Sequence, residues 1–151
     1  MKHVAVALRI AFAGLMLTVF GAPALAQKVP DGTVQEILIK TALLTFNDAN
    51  ITNNYAVFHA RLSKPFRDQF SPEKFAEAFK GFRDQHAYLD LIAAKQPIPA
   101  EAPKVDDNGR LTLKGYFDTT PSRVNYELAF IMSDEEWKLI KINVDVKKPD
   151  K

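Results

Sequence analysis

Two stretches near the C-terminal end alternate apolar and polar residues with a period of two: Arg123 to Met132 (RVNYELAFIM) and Trp137 to Val146 (WKLIKINVDV). Val124, Tyr126, Leu128, Phe130 and Met132 share one face of the first, and Ile140, Ile142, Val144 and Val146 share one face of the second. With Asp134-Glu135-Glu136 as a three-residue loop and Ser133 opposite Trp137, both sets lie on the same side of a sheet. A slip by one residue would bring Lys141, Asn143 and Asp145 onto that side, so the pattern specifies its own register. Upstream, Asp106-Asp107-Asn108-Gly109 reads as a turn, and Arg110 to Phe117 alternates as a third strand with Leu111, Leu113, Gly115 and Phe117 on its apolar side. Gly115 within it marks a bend or bulge, and Asp118 to Arg123 forms the loop to the next strand.

The first half of the chain carries the helical period instead. Thr33-Val34-Gln35-Glu36 reads as a capping box opening a helix that runs to about Asn50. Val34, Ile37, Leu38, Thr41, Ala42, Leu44, Thr45 and Ala49 form its broad stripe, and Ile39, Leu43 and Phe46 extend it round the side. Only Glu36, Lys40 and Asn47 remain as a polar arc, so the helix is expected to be covered on more than one side. A short helix is predicted over Tyr55 to Leu62. Phe66 and Phe70 then share a helical turn, and Ser71-Pro72 starts a further helix whose stripe is Phe75, Ala78, Phe79 and Phe82. Gln85 to Ala94 fits a helix end or a short strand equally, and the three prolines of Lys95 to Pro103 require an extended connector or edge. Helices first and an antiparallel meander after, with one apolar sheet face, predict an α+β domain with N-terminal helices packed on one face of a curved antiparallel sheet.

Met1 to Ala26 reads differently: Lys2 and Arg9 without an acid, an apolar run from Ile10 to Phe20, and Ala24-Leu25-Ala26 as a small-x-small site. This is the pattern of a cleaved secretory signal peptide, with cleavage expected after Ala26 and a periplasmic product. Its removal leaves one domain, residues 27-151, with no further stretch long enough to span a membrane. The 20 Lys and Arg and 18 Asp and Glu of the full chain become equal in number without Lys2 and Arg9, which gives no support for nucleic-acid binding. The absence of Cys excludes disulfides and thiol chemistry, so the exported domain must rest on its apolar core.

The segments Leu113-Lys114-Gly115-Tyr116-Phe117, Pro121-Ser122-Arg123-Val124 and Trp137-Lys138-Leu139-Ile140-Lys141-Ile142 carry a family resemblance. Together with the long first helix and the Phe-rich shorter helices, they make the region from Thr33 to Val146 similar to exported bacterial members of the nuclear transport factor 2-like superfamily. Those are cone-shaped relatives of the cystatin-like fold. The resemblance implies a cavity between the first helix and the inner sheet face, and dimers through the outer sheet face. It implies no one activity, since the fold hosts enzymes, ligand binders and assembly modules.

Candidate chemistry is sparse. The isomerase-like members of that superfamily use a Tyr and carboxylic acids in the cavity, and here Tyr126 is the only polar group expected on the inner sheet face. Tyr55, Tyr88 and Tyr126 are candidates to line a pocket, with Arg123 at its rim and His59 on its wall. Asp84, His86 and Asp90 match no metal-ligand spacing, Asp106-Asp107-Asn108-Gly109 lacks the other ligand positions of a calcium loop, and no cofactor fingerprint is present. On the outer sheet face, Ile131, Trp137 and Leu139 are expected to form an apolar patch suited to a homodimer or a protein partner. The functional expectation is a non-enzymatic periplasmic domain binding a small apolar ligand or a protein partner. The alternative is a cofactor-free isomerase, dehydratase or hydrolase using the cone cavity.

Overall fold

A computed structural model describes residues 27-147. The signal-peptide reading of residues 1-26 lies outside the described residues. The chain forms an α+β structure: helices α1 (Gly32–Thr52), α2 (Ala56–Ala60), α3 (Lys64–Gln69), α4 (Pro72–Ala78) and α5 (Lys80–Asp84), then a 3-10 turn at Asp90–Ala94. Strands β1 (Ile98–Pro99), β2 (Lys104–Val105), β3 (Leu111–Phe117), β4 (Arg123–Ser133) and β5 (Glu136–Lys147) follow. All pairings are antiparallel in the order β1-β3-β4-β5, with β2 also on β3. The helices pack on the face of the sheet that carries Leu111, Leu113, Phe117, Val124, Tyr126, Leu128 and Phe130, all buried.

Helix α1 starts two residues earlier than the capping box suggests. Asp31 is the cap, its carboxylate accepting from the Val34 N–H at 2.9 Å, while Glu36 pairs with Lys40 at 2.8 Å. The helix ends where Asn53 takes a left-handed conformation and its N–H returns to the Ala49 carbonyl. Its deepest face is Ile39, Leu43, Phe46 and Asn50, spaced at four and three residues. Phe46 carries α1 into an aromatic cluster centred on Phe75, with ring centroids 4.6 Å from Phe79, 5.4 Å from Phe82 and 5.8 Å from Phe58. The Phe79 and Phe82 contacts are edge-to-face, the arrangement that brings a positive ring edge against a negative ring face.

Asn47 belongs to the core and not to a wet arc. It is buried, its Oδ1 accepts from Leu89 N–H at 2.7 Å, and its Nδ2 donates to Asp90 Oδ1 at 3.2 Å. Those two bonds pin the 3-10 turn against α1 and settle the ambiguous Gln85 to Ala94 segment. A buried amide satisfied on both atoms costs little, whereas truncating it would orphan the Leu89 N–H.

The β4–β5 hairpin corrects the expected loop. Ser133 faces Glu136 and Met132 faces Trp137, so the turn is two residues, Asp134 and Glu135, both with positive φ (55° and 62°). Near the open end the pairs are those the sequence specifies, with Val124 opposite Val146, Tyr126 opposite Val144 and Leu128 opposite Ile142. Between them lies a register shift: Ala129 faces Lys141 but Phe130 faces Leu139, leaving Ile140 as an extra residue. Beyond this bulge Leu139 replaces Ile140 on the core face and is buried at 5% exposure. The bulge is also where the helical layer is stitched on, because Leu62 bridges Leu139 and the Ser63 N–H donates to the Leu139 carbonyl at 2.9 Å.

Gly115 faces Tyr126, whose ring lies across it: a Cβ built at Gly115 would sit 2.6 Å from the Tyr126 hydroxyl and against the Ile98 carbonyl. The bare glycine therefore makes room for the phenol and for edge strand β1. Gly115→Val is expected to lower stability by about 1–3 kcal/mol, the usual cost of forcing volume into a filled site. Urea unfolding checks this, and an unchanged midpoint would mean that both the phenol and edge strand β1 give way without cost.

Candidate functional site

Helix α1 carries a second apolar stripe about 100° round from its buried one. Val34, Ile37, Leu38, Thr41, Ala42 and Thr45 recur at three- and four-residue spacing along it. The period predicts such a stripe but not what covers it. In the fold it faces a groove, and Ile37 remains 57% exposed.

The opposite walls come from α2 and from the tip of the hairpin. Phe58, Arg61 and Leu62 contribute from α2 and the residues just after it; Phe130, Trp137 and Leu139 contribute from β4 and β5, with Glu135, Glu136 and Lys138 at the rim. The cavity has a volume of about 410 Å³ and opens to solvent. The bulge at Ile140 makes this wall, since without it Trp137 and Leu139 would point to the other side of the sheet. The expected outer-face patch of Ile131, Trp137 and Leu139 does not form for the same reason. Ile131 stays outside opposite Lys138, Leu139 enters the core, and Trp137 packs against the core at the groove.

The charged rim has a simple pairing pattern. The Lys138 ammonium closes onto the Glu136 carboxylate. Arg67 folds back onto the carbonyls of Ala60 and Leu62, capping the end of α2. Among the described residues, the Arg61 guanidinium beside them takes part in no ion pair or side-chain hydrogen bond, and neither does the Glu135 carboxylate.

The five pocket candidates read from the sequence are not brought together at this groove. Tyr55 is buried beneath α1, its hydroxyl donating to Asn50 Oδ1 and accepting from Arg83 Nη1 at 3.1 Å. Burial pushes its phenol pKa up, while the Arg83 guanidinium pulls the other way. His59 is half-buried with a ring nitrogen 3.4 Å from the Arg67 carbonyl. Tyr88 is exposed beside His86. Arg123 lies over the Tyr116 ring at 4.2 Å and pairs with Asp118 at 3.3 Å, on the far side of the sheet from the core. Tyr126 is buried against Phe117 and Gly115, and burial pushes its phenol pKa up to about 12.

Tyr55, His59, Arg123 and Tyr126 are each engaged by partners within the fold and Tyr88 is exposed, while the groove was marked in the sequence by the second stripe of α1 and by Trp137 and Leu139, there assigned to the outer face. Among the described residues no three His, Cys, Asp or Glu side chains converge on a metal-sized site, and no helix is long and apolar enough to cross a membrane. Comparison with protein-family models, curated proteins and solved structures finds no match.

The Tyr126 phenol gives a pH signature with a definite sign. Its folded pKa of about 12 lies above the ordinary value of 10.0, so the native state holds the proton longer than the unfolded one. The stability this represents is fully present below pH 10.0 and is lost as pH rises towards about 12. Urea midpoints measured across that window should fall more steeply for the natural chain than for Tyr126→Phe. Parallel falls would mean that the phenol is solvated.

Proposed function

We propose that this chain is an exported, nuclear transport factor 2-like domain that binds a small apolar ligand without transforming it, in the groove between α1 and the hairpin tip. The observation that carries this reading is the groove itself: about 410 Å³, walled by Val34, Leu38, Ala42, Phe58, Trp137 and Leu139, with charge confined to its rim. Open pockets of this size with apolar walls are the usual form of small-molecule sites. The exposed Ile37 beside it is apolar surface that a ligand would take out of water.

The isomerase-like alternative needs a carboxylate facing a Tyr inside the cone, one to move a proton and the other to stabilise the oxyanion. Among the described residues the buried polar side chains are Asn47, Asn50, Ser63 and Thr119, none of them an acid. Tyr55 is engaged by Asn50 and Arg83, and Tyr126 lies on Gly115 and Phe117. These placements favour binding over catalysis.

Trp137, the single tryptophan of the chain, lies on the groove wall and reports on its occupancy. Native mass spectrometry of the protein from its own host should show a reproducible bound mass, and an apolar dye should shift Trp137 emission on titration. Ala42→Phe, which fills the groove from the helix side, should weaken dye binding at least tenfold with the far-ultraviolet circular dichroism unchanged. Undiminished binding to that variant would remove the groove from the function.

A further inference from the structure

The groove differs from a plain hydrophobic slot in having one uncommitted cation beside its apolar wall. We infer that its ligand is a single-chain amphiphile with an anionic head, the tail lying along α1 and the head paired with Arg61. This deepens the binding reading given above and rests on it.

The shape argument comes from α1. The stripe from Val34 to Thr45 runs eleven residues along the helix, roughly 16 Å at 1.5 Å per residue. A wall of that length lined by Leu38, Ala42 and, opposite, Trp137 suits an extended hydrocarbon chain better than a compact ring. Thr41 and Thr45 are the polar residues of the same stripe, each small and carrying a methyl group beside its hydroxyl.

The charge argument comes from the neighbours of Arg61. It stands between two groove-lining side chains, Phe58 one turn before it and Leu62 after it, so its stem starts from the apolar wall. The carbonyls of Ala60 at the end of α2 and of Leu62 just beyond it, which an arginine at a helix end would otherwise cap, are taken by Arg67. Across the groove Lys138 is neutralised by Glu136. That leaves Arg61 and Glu135 as the rim charges without a partner among the described residues. Both are exposed, Glu135 in the two-residue turn and Arg61 just after α2; of the two, Arg61 offers a planar fork of donors matched to a carboxylate or phosphate beside an apolar groove.

The test uses the full chain as its host processes it, with dodecanoate, dodecyl phosphate, dodecanol and dodecylamine as probes, read by Trp137 fluorescence and native mass spectrometry. The two anions are expected to bind best, and dodecanol about ten- to hundredfold more weakly, the range of a charge-assisted hydrogen bond. Arg61→Gln should bring the anions down to the level of dodecanol without changing dodecanol itself, Arg61→Lys should restore part of the loss, and Glu135→Gln should leave the anions unweakened. A preference for dodecanoate over dodecyl phosphate, or the reverse, identifies the head as carboxylate or phosphate. Equal binding of all four probes would overturn the head-group inference while leaving the apolar groove standing, as would tighter binding of dodecylamine. Binding of none would overturn the groove reading as well.

Discussion

Ile140 has no residue opposite it on β4, and the local organisation of the helical layer around the hairpin follows from that. The extra residue turns Leu139 into the core, lifts Trp137 onto the rim of the helical layer, and presents the Leu139 carbonyl sideways to the Ser63 N–H. A single hydrogen bond of this kind contributes only about 1 kcal/mol net. Its effect is positional: it fixes where the segment between α2 and α3 crosses the edge of β5, and with it the distance between α2 and the hairpin tip. The groove is the space left by that arrangement.

The buried face of α1, a quarter-turn or so round from the groove, is held by different means. Phe46 meets Phe58, Phe79 and Phe82, while Asn47 bonds to Leu89 and Asp90 more than forty residues away and Asn50 accepts from the nearby Tyr55. Each fully buried Phe contributes roughly 1.5–3 kcal/mol relative to exposure, and the two amides decide which faces of the elements meet. One face of α1 is thereby committed to the interior in both packing and polarity. The other is free to vary with whatever occupies the groove, because no buried polar group there depends on a fixed neighbour.

The sequence pattern carries much of this. The period-two alternation places Val124, Tyr126 and Leu128 opposite Val146, Val144 and Ile142, and the structure has those pairs. What it leaves open is the tip, since a three-residue loop and a two-residue turn followed by one bulge produce the same register at the open end of the hairpin. A bulge needs no special residue type, so Ile140 looks like any strand isoleucine, and the side on which Trp137 and Leu139 fall is fixed only by the fold. The helical period likewise reveals both apolar stripes of α1 but gives no means of telling which meets Phe79 and Phe82 and which meets open space. Asn47 reads as surface for a related reason: its partners, Leu89 and Asp90, lie more than forty residues further along the chain.

The two edges of the sheet are unequal in a way that bears on self-association. On one side β3 is covered by the short β1 and β2, and Pro99 within β1 has no N–H to offer a further strand. On the other, Leu62 and Ser63 cover β5 at Leu139, and among the described residues no strand pairs with its outer edge beyond that point. That stretch carries Lys141, Asp145 and Lys147, and a parallel in-register copy of the same strand would bring each charge alongside its like. The two edges thus differ in kind: a proline stands in the short strand at one, and a row of charged side chains lies along the other.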